Sequence, residues 1–172
     1  MPLIKDGAWA EDHFVTVNDD EPMPENGTIV SLARLRRDRE ALLARNAPLG
    51  VKLKSDETPE ALGEDLQRLS VVVLEFPKFR DGRAFSWVRM LRTRLGFDGE
   101  IRAAGHFLYD QLAFMKRVGF DSFEVRENFT LAEFERAMDE MSLVYQPSAD
   151  GRPTIRGLRV RAASLDPTSP AP

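Results

Sequence analysis

A polar cluster that follows an apolar run near the middle of the chain could bind an anion. The run 71–74 (VVVL) is followed within twelve residues by six polar or charged side chains: Glu75, Lys78, Arg80, Asp81, Arg83 and Ser86. The guanidinium groups of Arg80 and Arg83 can form forked hydrogen bonds with a carboxylate, a phosphate or a sulfur oxyanion. The alternative is that Asp81 caps a helix while both arginines pair with Glu75 or with solvent. All six residues are ligand-binding candidates.

A second group, His106 and Asp110, has the residue types for acid–base catalysis. Histidine titrates near neutral pH, and Asp110 lies four residues later, a spacing at which two helical side chains can form a hydrogen bond. We therefore take His106 and Asp110 as catalytic candidates. The alternative is a structural hydrogen bond at the start of a helix, because no nucleophile or second base is fixed nearby.

Three further ligand-binding candidates, Lys54, Gln111 and Arg126, follow other predicted strands. The carboxyl ends of parallel strands lie at one edge of a sheet, where α/β proteins build their sites. The positive ends of helix dipoles at that edge also favour anions. The sequence thus predicts a single rim that carries all of these candidates.

Alternating strand and helix patterns position this rim. Strands are predicted at Leu49–Leu53, Val71–Phe76, 101–104 and 123–125, and helices at 31–46, 58–69, 82–95, 107–118 and 131–141. Two similar segments, LGFD at 95–98 and VGFD at 118–121, each end a helix with glycine and lead into a strand. This order predicts an α/β fold of about four parallel βα repeats, either half-TIM-barrel-like or a small open sheet.

The ends of the chain have a different character. Residues 1–30 are predicted to be irregular or a hairpin, with a turn at Asp6-Gly7, and residues 164–172 read as a flexible tail. We expect a single α/β domain over residues 1–163. A half-barrel leaves edge strands, which must be covered by the N-terminal segment or by a second copy of the chain.

Composition excludes several classes of site. The 172 residues include no cysteine and only two histidines, so a disulfide framework, a thiol nucleophile and a cysteine-type metal centre are ruled out. We expect no resident cofactor and no metal ion. A net charge of −4 argues against a nucleic-acid binder, and no apolar run is long enough for a membrane helix. Without a secretory signal pattern, the expected location is the cytoplasm.

The stretches LEFPKFRDGRAFSWVRMLR and GEIRAAGHFLYDQLAFMKRVGFDSFEV resemble a bacterial family of unknown function. Its members are labelled oxidoreductases and are encoded beside assimilatory sulfite reductase. The resemblance spans roughly residues 32–141, and family-like positions include Asp81, Gly82, Arg83, Asp110 and Gln111. The family carries no established catalytic residues, so the resemblance implies a context in sulfur assimilation and no mechanism.

Three hypotheses for the function follow, and they leave open whether the protein is an enzyme. The first is an accessory protein of assimilatory sulfate or sulfite reduction, which binds an anionic ligand or the reductase through the arginine-rich rim. The second is a small-molecule enzyme that uses His106 and Asp110 on an anionic substrate. The third is a structural module that forms a homodimer. The expected partners are therefore sulfite reductase, another sulfur-assimilation protein or a second copy, and neither nucleic acid nor a membrane.

Overall fold

A curled sheet of eight strands organises the computed structural model, which describes residues 1–140 and 143–165. The strands are β1 (Leu3–Lys5), β2 (Ala8–Ala10), β3 (Phe14–Thr16), β4 (Gly27–Ser31), β5 (Leu49–Leu53), β6 (Val71–Phe76), β7 (Glu100–Gly105) and β8 (Ser122–Glu124). Their order across the sheet is β2-β1-β8-β7-β6-β5-β4-β3, and the strands from β3 to β8 are parallel. The α/β fold is that of an open half-barrel, as predicted.

Helical segments connect these strands. They are α1 (Leu32–Arg37), α2 (Arg39–Leu43), α3 (Arg83–Thr93), α4 (Leu112–Val118), α5 (Leu131–Asp139) and α6 (Ile155–Leu165), with 3-10 segments at Pro59–Arg68 and Tyr109–Gln111. Ser31 caps α1 as predicted, and Thr130 forms the predicted capping box with Glu133 at α5. Met141 of the predicted helix 131–141, and residues 166–172 of the predicted tail, lie outside the described residues.

Two predicted helices differ in the structure. The helix predicted over 31–46 breaks at Asp38, whose carboxylate accepts hydrogen bonds from Arg34 and Arg37 and whose backbone leaves the helical region. The helix predicted over 58–69 is a 3-10 segment interrupted at Gly63, where φ is 53°. Aspartate competes with the helical backbone for hydrogen bonds, and glycine adopts positive φ at little steric cost.

The N-terminal segment covers both edges of the parallel strands. A hairpin turning at Asp6-Gly7, as predicted, pairs β1 antiparallel with β8, while β3 pairs parallel with β4. The sequence analysis named four parallel strands, and the parallel part of the sheet also contains β3 and β4, which lie in or follow a stretch rich in turn residues. Of the two ways to cover the edges, the structure shows covering by the chain's own N-terminus.

The two edge strands of the sheet, β2 and β3, are consecutive in the chain. Only residues 11–13 separate them. An extended chain spans about 3.6 Å per residue, so the edges come within about 14 Å of each other. The sheet therefore curls until its first and last strands nearly meet.

The two faces of the sheet bury different side chains. On the outer face, Val72, Leu74 and Phe76 of β6 belong to the main core beneath the helices. On the inner face, Val71 and Val73 pack with few neighbours inside the curl. Space there is tight, since a Cβ at Gly50 would lie 2.4 Å from a methyl carbon of Val71. Only glycine fits at this point.

A buried arginine spans the interior of the curl. Arg102 on β7 is 1% exposed, and its guanidinium lies 2.7 Å from Asp12 and 2.9 Å from Glu100. It also lies 5.8 Å from the ring of Phe14 on β3. In a flat sheet these strands, four positions apart, would be about 19 Å from each other. The ion pair with Asp12 therefore joins the connector of the edge strands to the middle of the sheet.

The same network sets the charge state of Glu100. Burial by itself would raise the pKa of this carboxyl, but hydrogen bonds from Lys5 and Ser122 and the charge of Arg102 outweigh burial and lower the pKa below 4.5. The carboxylate form is thus the one that the fold stabilises. Arg102 is thus paired with a carboxylate, Glu100, whose charged form the fold stabilises, which is what a buried guanidinium requires.

Replacing Arg102 by methionine is expected to lower the free energy of unfolding by about 3 kcal/mol or more, because it leaves carboxylates without their cation. The control is Arg39→Met, which removes an exposed arginine paired with Asp65 and should cost less than about 1 kcal/mol. Urea unfolding at neutral pH measures both. Equal free energies of unfolding for these two variants would contradict the role of Arg102 in closing the curl. The free energy of unfolding of Arg102→Lys should lie between those of the two variants.

Candidate functional site

The structure distributes the predicted site residues over three neighbouring places along the rim. Lys78, Arg80, His106 and Arg126 line one cleft. Asp81 and Arg83 form an ion pair at the start of α3. Lys54 and Glu75 border a smaller recess inside the curl. The single rim of the sequence prediction is therefore three separate groups of side chains.

The cleft lies where β6, β7 and β8 end, and it has a volume of about 970 Å³. It is lined by Met1, Pro77, Lys78, Phe79, Arg80, Gly105, His106, Phe107, Leu108, Tyr109, Leu112, Glu124, Val125, Arg126 and Phe129. Concave pockets of about 300–1,000 Å³ at the ends of parallel strands are the usual ligand sites of α/β proteins. The cleft is therefore the candidate functional site.

Gly105 allows His106 to enter the cleft. Its φ is +99°, and a Cβ there would lie 2.5 Å from the carbonyl oxygen of Phe76. The backbone N–H of His106 donates to that same carbonyl at 2.7 Å. A residue with a side chain at position 105 would force β6 and β7 apart. The glycine is thus what holds His106 close to the end of β6.

Gln111 ties together the two loops that form one side of the cleft. Its amide nitrogen donates to the carbonyl of Phe79 at 3.3 Å, and its amide oxygen accepts from the N–H of Leu108 at 2.9 Å. The first loop carries Lys78 and Arg80. Gln111, a predicted ligand-binding residue, therefore lies behind the cleft and positions its wall.

The predicted pair of His106 and Asp110 is only partly brought together. His106 is exposed and lines the cleft, whereas Asp110 is exposed in the 3-10 segment and does not line it. Within the described part of the chain, no hydrogen bond joins their side chains. The geometry thus places one member of the pair in the cleft and leaves the acid–base hypothesis as a prediction.

Two arginines of the cleft stack on aromatic rings. The guanidinium of Arg80 lies 5.3 Å from the centre of the Phe79 ring, and that of Arg126 lies 5.3 Å from Phe129. Arg126 also donates to Asn128 at 2.8 Å and to Glu133 at 2.7 Å. In residues 1–140 and 143–165, no carboxylate forms an ion pair with Arg80 or Lys78. Positive charge is therefore least compensated at the Lys78–Arg80 end.

Arg83 has an internal partner. Its guanidinium donates to both oxygens of Asp81, at 2.9 and 2.7 Å, and to the hydroxyl of Ser55 at 2.9 Å. Hydrogen bonds from Arg83 hold the pKa of Asp81 well below its ordinary value of 3.8. Gly82, and not Asp81, is the N-cap of α3, and Ser86 is exposed on that helix. An anion at Arg83 would have to compete with a bidentate carboxylate.

The recess inside the curl contains a lysine that the sequence reasoning missed. Lys52 on β5 pairs with Glu75 on β6 at 2.8 Å, and Lys54 borders the same space of about 320 Å³. Strands β5 and β6 are parallel neighbours whose alternate residues face inward. That period-two pattern was the available signal for Lys52. The sequence analysis also missed the apolar residues that line the cleft, such as Phe129. Nothing in the sequence distinguishes these residues from residues of the hydrophobic core.

Arginines are concentrated in residues 34–45 and 78–94, and several of them are bound internally. Arg34 donates to the carbonyls of Asn18 and Glu21, and Arg45 donates to the carbonyl of Pro24. Arg92 donates to the carbonyls of Phe97, Gly99 and Gly119 and pairs with Asp121. These side chains fix loops and helix ends. Their charges are thus less available for a partner than the sequence suggests.

Residues 1–140 and 143–165 contain no group of three or more His, Asp or Glu side chains arranged to hold a metal ion. No helix in the described part of the chain is long and apolar enough to cross a membrane.

Comparison with known proteins identifies a family. The model of a family described as bacterial protein of unknown function (DUF934) matches residues 50–155, more than half of the chain, so the chain belongs to that family. None of the curated proteins and none of the solved structures gives a match. The matched range includes β6, β7 and β8, which are the strands that end at the cleft, and all but the first residue of β5.

Proposed function

We propose that this DUF934 protein is an accessory protein of assimilatory sulfate or sulfite reduction that binds an anionic ligand, or the reductase itself, at the cleft. The link to sulfur assimilation rests on the resemblance to a family encoded beside sulfite reductase. The proposal that the ligand is an anion rests on the positive charge of Lys78 and Arg80, which no acidic side chain of the described residues compensates. Of the two arginines predicted to bind the anion, the proposal assigns the main contact to Arg80, because Asp81 occupies Arg83.

One observation supports an anion above all. Arg80 is held against Phe79 by a cation–π contact, and it has no acidic partner among the described residues. A guanidinium that is oriented but unpaired keeps its forked donors free for an oxyanion. Lys78 adds a second positive charge on the same loop. Two cations on one loop that Gln111 holds in place form a preorganised anion site.

The same end of the cleft could contact the reductase. Phe79 is 45% exposed beside Arg80, and Leu108 is 44% exposed on the facing loop. Apolar side chains surrounded by positive charge suit an acidic protein surface, since charge steers association and apolar burial stabilises the complex. A reductase side chain such as a carboxylate would then take the place of the free anion.

Binding of sulfite and sulfate tests the proposal. Isothermal titration calorimetry on Arg80→Gln should show affinity reduced tenfold or more, because a charge-assisted hydrogen bond contributes roughly 1.5–3 kcal/mol, a factor of about 10 to 150. The matched control is Arg94→Gln, which changes an exposed arginine at the C-terminal end of α3, outside the cleft. Arg83→Gln should have a small effect. Co-purification with sulfite reductase is measured on the same variants. If Arg80→Gln changes neither anion binding nor co-purification, the proposal is wrong.

A second candidate function is an enzyme that uses His106 on an anionic substrate. The observation in its favour is that His106 and the Lys78–Arg80 end line the same cleft, so an anion held there would lie near an imidazole. Asp110 would act by orienting His106 once a ligand is bound.

Growth on sulfate separates the two candidates. A strain that carries His106→Gln should grow normally on sulfate if the protein only binds, because glutamine retains a polar side chain of similar size. A catalytic role requires loss of growth while the variant protein keeps the thermal stability of the wild type. Normal growth of the His106→Gln strain ends the catalytic hypothesis.

A further inference from the structure

The cleft combines two kinds of surface that a simple inorganic anion would not need. Its two cations without an acidic partner among the described residues, Lys78 and Arg80, lie at one end. Much of the remaining wall is apolar, formed by Pro77, Phe107, Leu108, Leu112, Val125 and Phe129. A sulfate or phosphate ion would occupy only the positive end. Most of the 970 Å³ would remain as wetted apolar surface.

Part of this apolar wall is not required by the core. Leu108 is 44% exposed and Phe79 is 45% exposed, and both border the cleft. Exposed apolar side chains grouped around a concavity mark binding surfaces, whereas single ones scattered over a surface do not. The wall therefore fits an apolar or aromatic part of a ligand.

The far side of the cleft, at the end of β8, carries charges of both signs that are already paired. Glu124 on β8 lines it, and its carboxylate lies 3.6 Å from the buried guanidinium of Arg102. Arg126 on the same side donates to Glu133 at 2.7 Å. Strand β8 is two strands away from β6, a separation of about 10 Å. An oxyanion is therefore attracted mainly at the Lys78–Arg80 end, and the cleft has a direction. The Glu124 carboxylate at the other end can accept hydrogen bonds from an amino or hydroxyl group.

We infer that the ligand is a flat aromatic or heteroaromatic ring joined to an oxyanion, of the size of a mononucleotide. The oxyanion, a phosphate or a sulfate ester, contacts Arg80 and Lys78. The ring packs on Phe107, Leu108 and Phe129 and directs its polar edge toward Glu124. This inference rests on the proposed function, because it assigns the ligand class of the same cleft.

Calorimetric titration with matched fragments tests the inference. The probes are AMP, its two parts inorganic phosphate and adenosine, and 2-naphthyl sulfate as an oxyanion on a purely apolar ring. AMP should bind at least tenfold more tightly than phosphate, and adenosine should bind more weakly than AMP. Tight binding of AMP alone identifies a nucleotide, while equal binding of 2-naphthyl sulfate identifies the broader class of aryl oxyanions.

Two variants assign the two parts of the ligand to the two surfaces. Leu108→Gln should weaken AMP about fivefold or more and leave phosphate unchanged, while Arg80→Gln should weaken both. Leu158→Gln, on an exposed leucine of α6 outside the cleft, is the control and should change neither. Thermal unfolding confirms that each variant is folded.

The results distinguish failure of the inference from failure of the proposed function. If phosphate or sulfate binds in an Arg80-dependent way and AMP binds no more tightly, the ligand class is wrong while the anion site stands. If adenosine binds as tightly as AMP, the oxyanion contributes nothing and the inference is overturned. If no oxyanion binds at all, neither the ligand class nor the anion site survives.

Discussion

The buried guanidinium of Arg102 is the constraint on which the rest of the structure depends. It lies inside the curl, where a charge is tolerated only with partners that offset its desolvation. Those partners are Glu100 on β7, Glu124 on β8 and Asp12 in the connector between the two edge strands. The contact with Asp12 forms because the sheet curls and its edges approach. The curl in turn brings the ends of β6, β7 and β8 around the cleft.

Charge in this protein has two physical roles that composition does not separate. Arginines such as Arg34 and Arg92 donate to backbone carbonyls at loops and helix ends and act as structural clamps. Arg80, by contrast, lies over the Phe79 ring and forms no ion pair or side-chain hydrogen bond with any residue of 1–140 and 143–165. The difference lies in what surrounds each guanidinium. An arginine that forms no such internal hydrogen bonds and lies at the ends of parallel strands is therefore more informative about function than the total number of arginines.

Local patterns predicted the elements that have local causes. Strands β5 and β6 have the predicted bounds, and the capping box of Thr130 with Glu133 follows from residues three apart. The contact that closes the curl could not be predicted, because it joins Asp12 to Arg102 across 90 residues of sequence. The same holds for the candidate site. The sequence analysis correctly placed four cleft residues at strand ends: Lys78, Arg80, His106 and Arg126. It could not show that Arg83 pairs with Asp81, because that pairing depends on side-chain geometry.

The cleft as an anion site is the central claim, and locating the anion tests it most directly. A crystal structure of the protein grown with selenate, which has the charge and shape of sulfate, shows the selenium atom by its anomalous scattering. The account predicts a selenate within hydrogen-bond distance of the Arg80 guanidinium and the Lys78 ammonium. A selenate bound instead at Arg83 and Ser55, with none at Arg80, would contradict it.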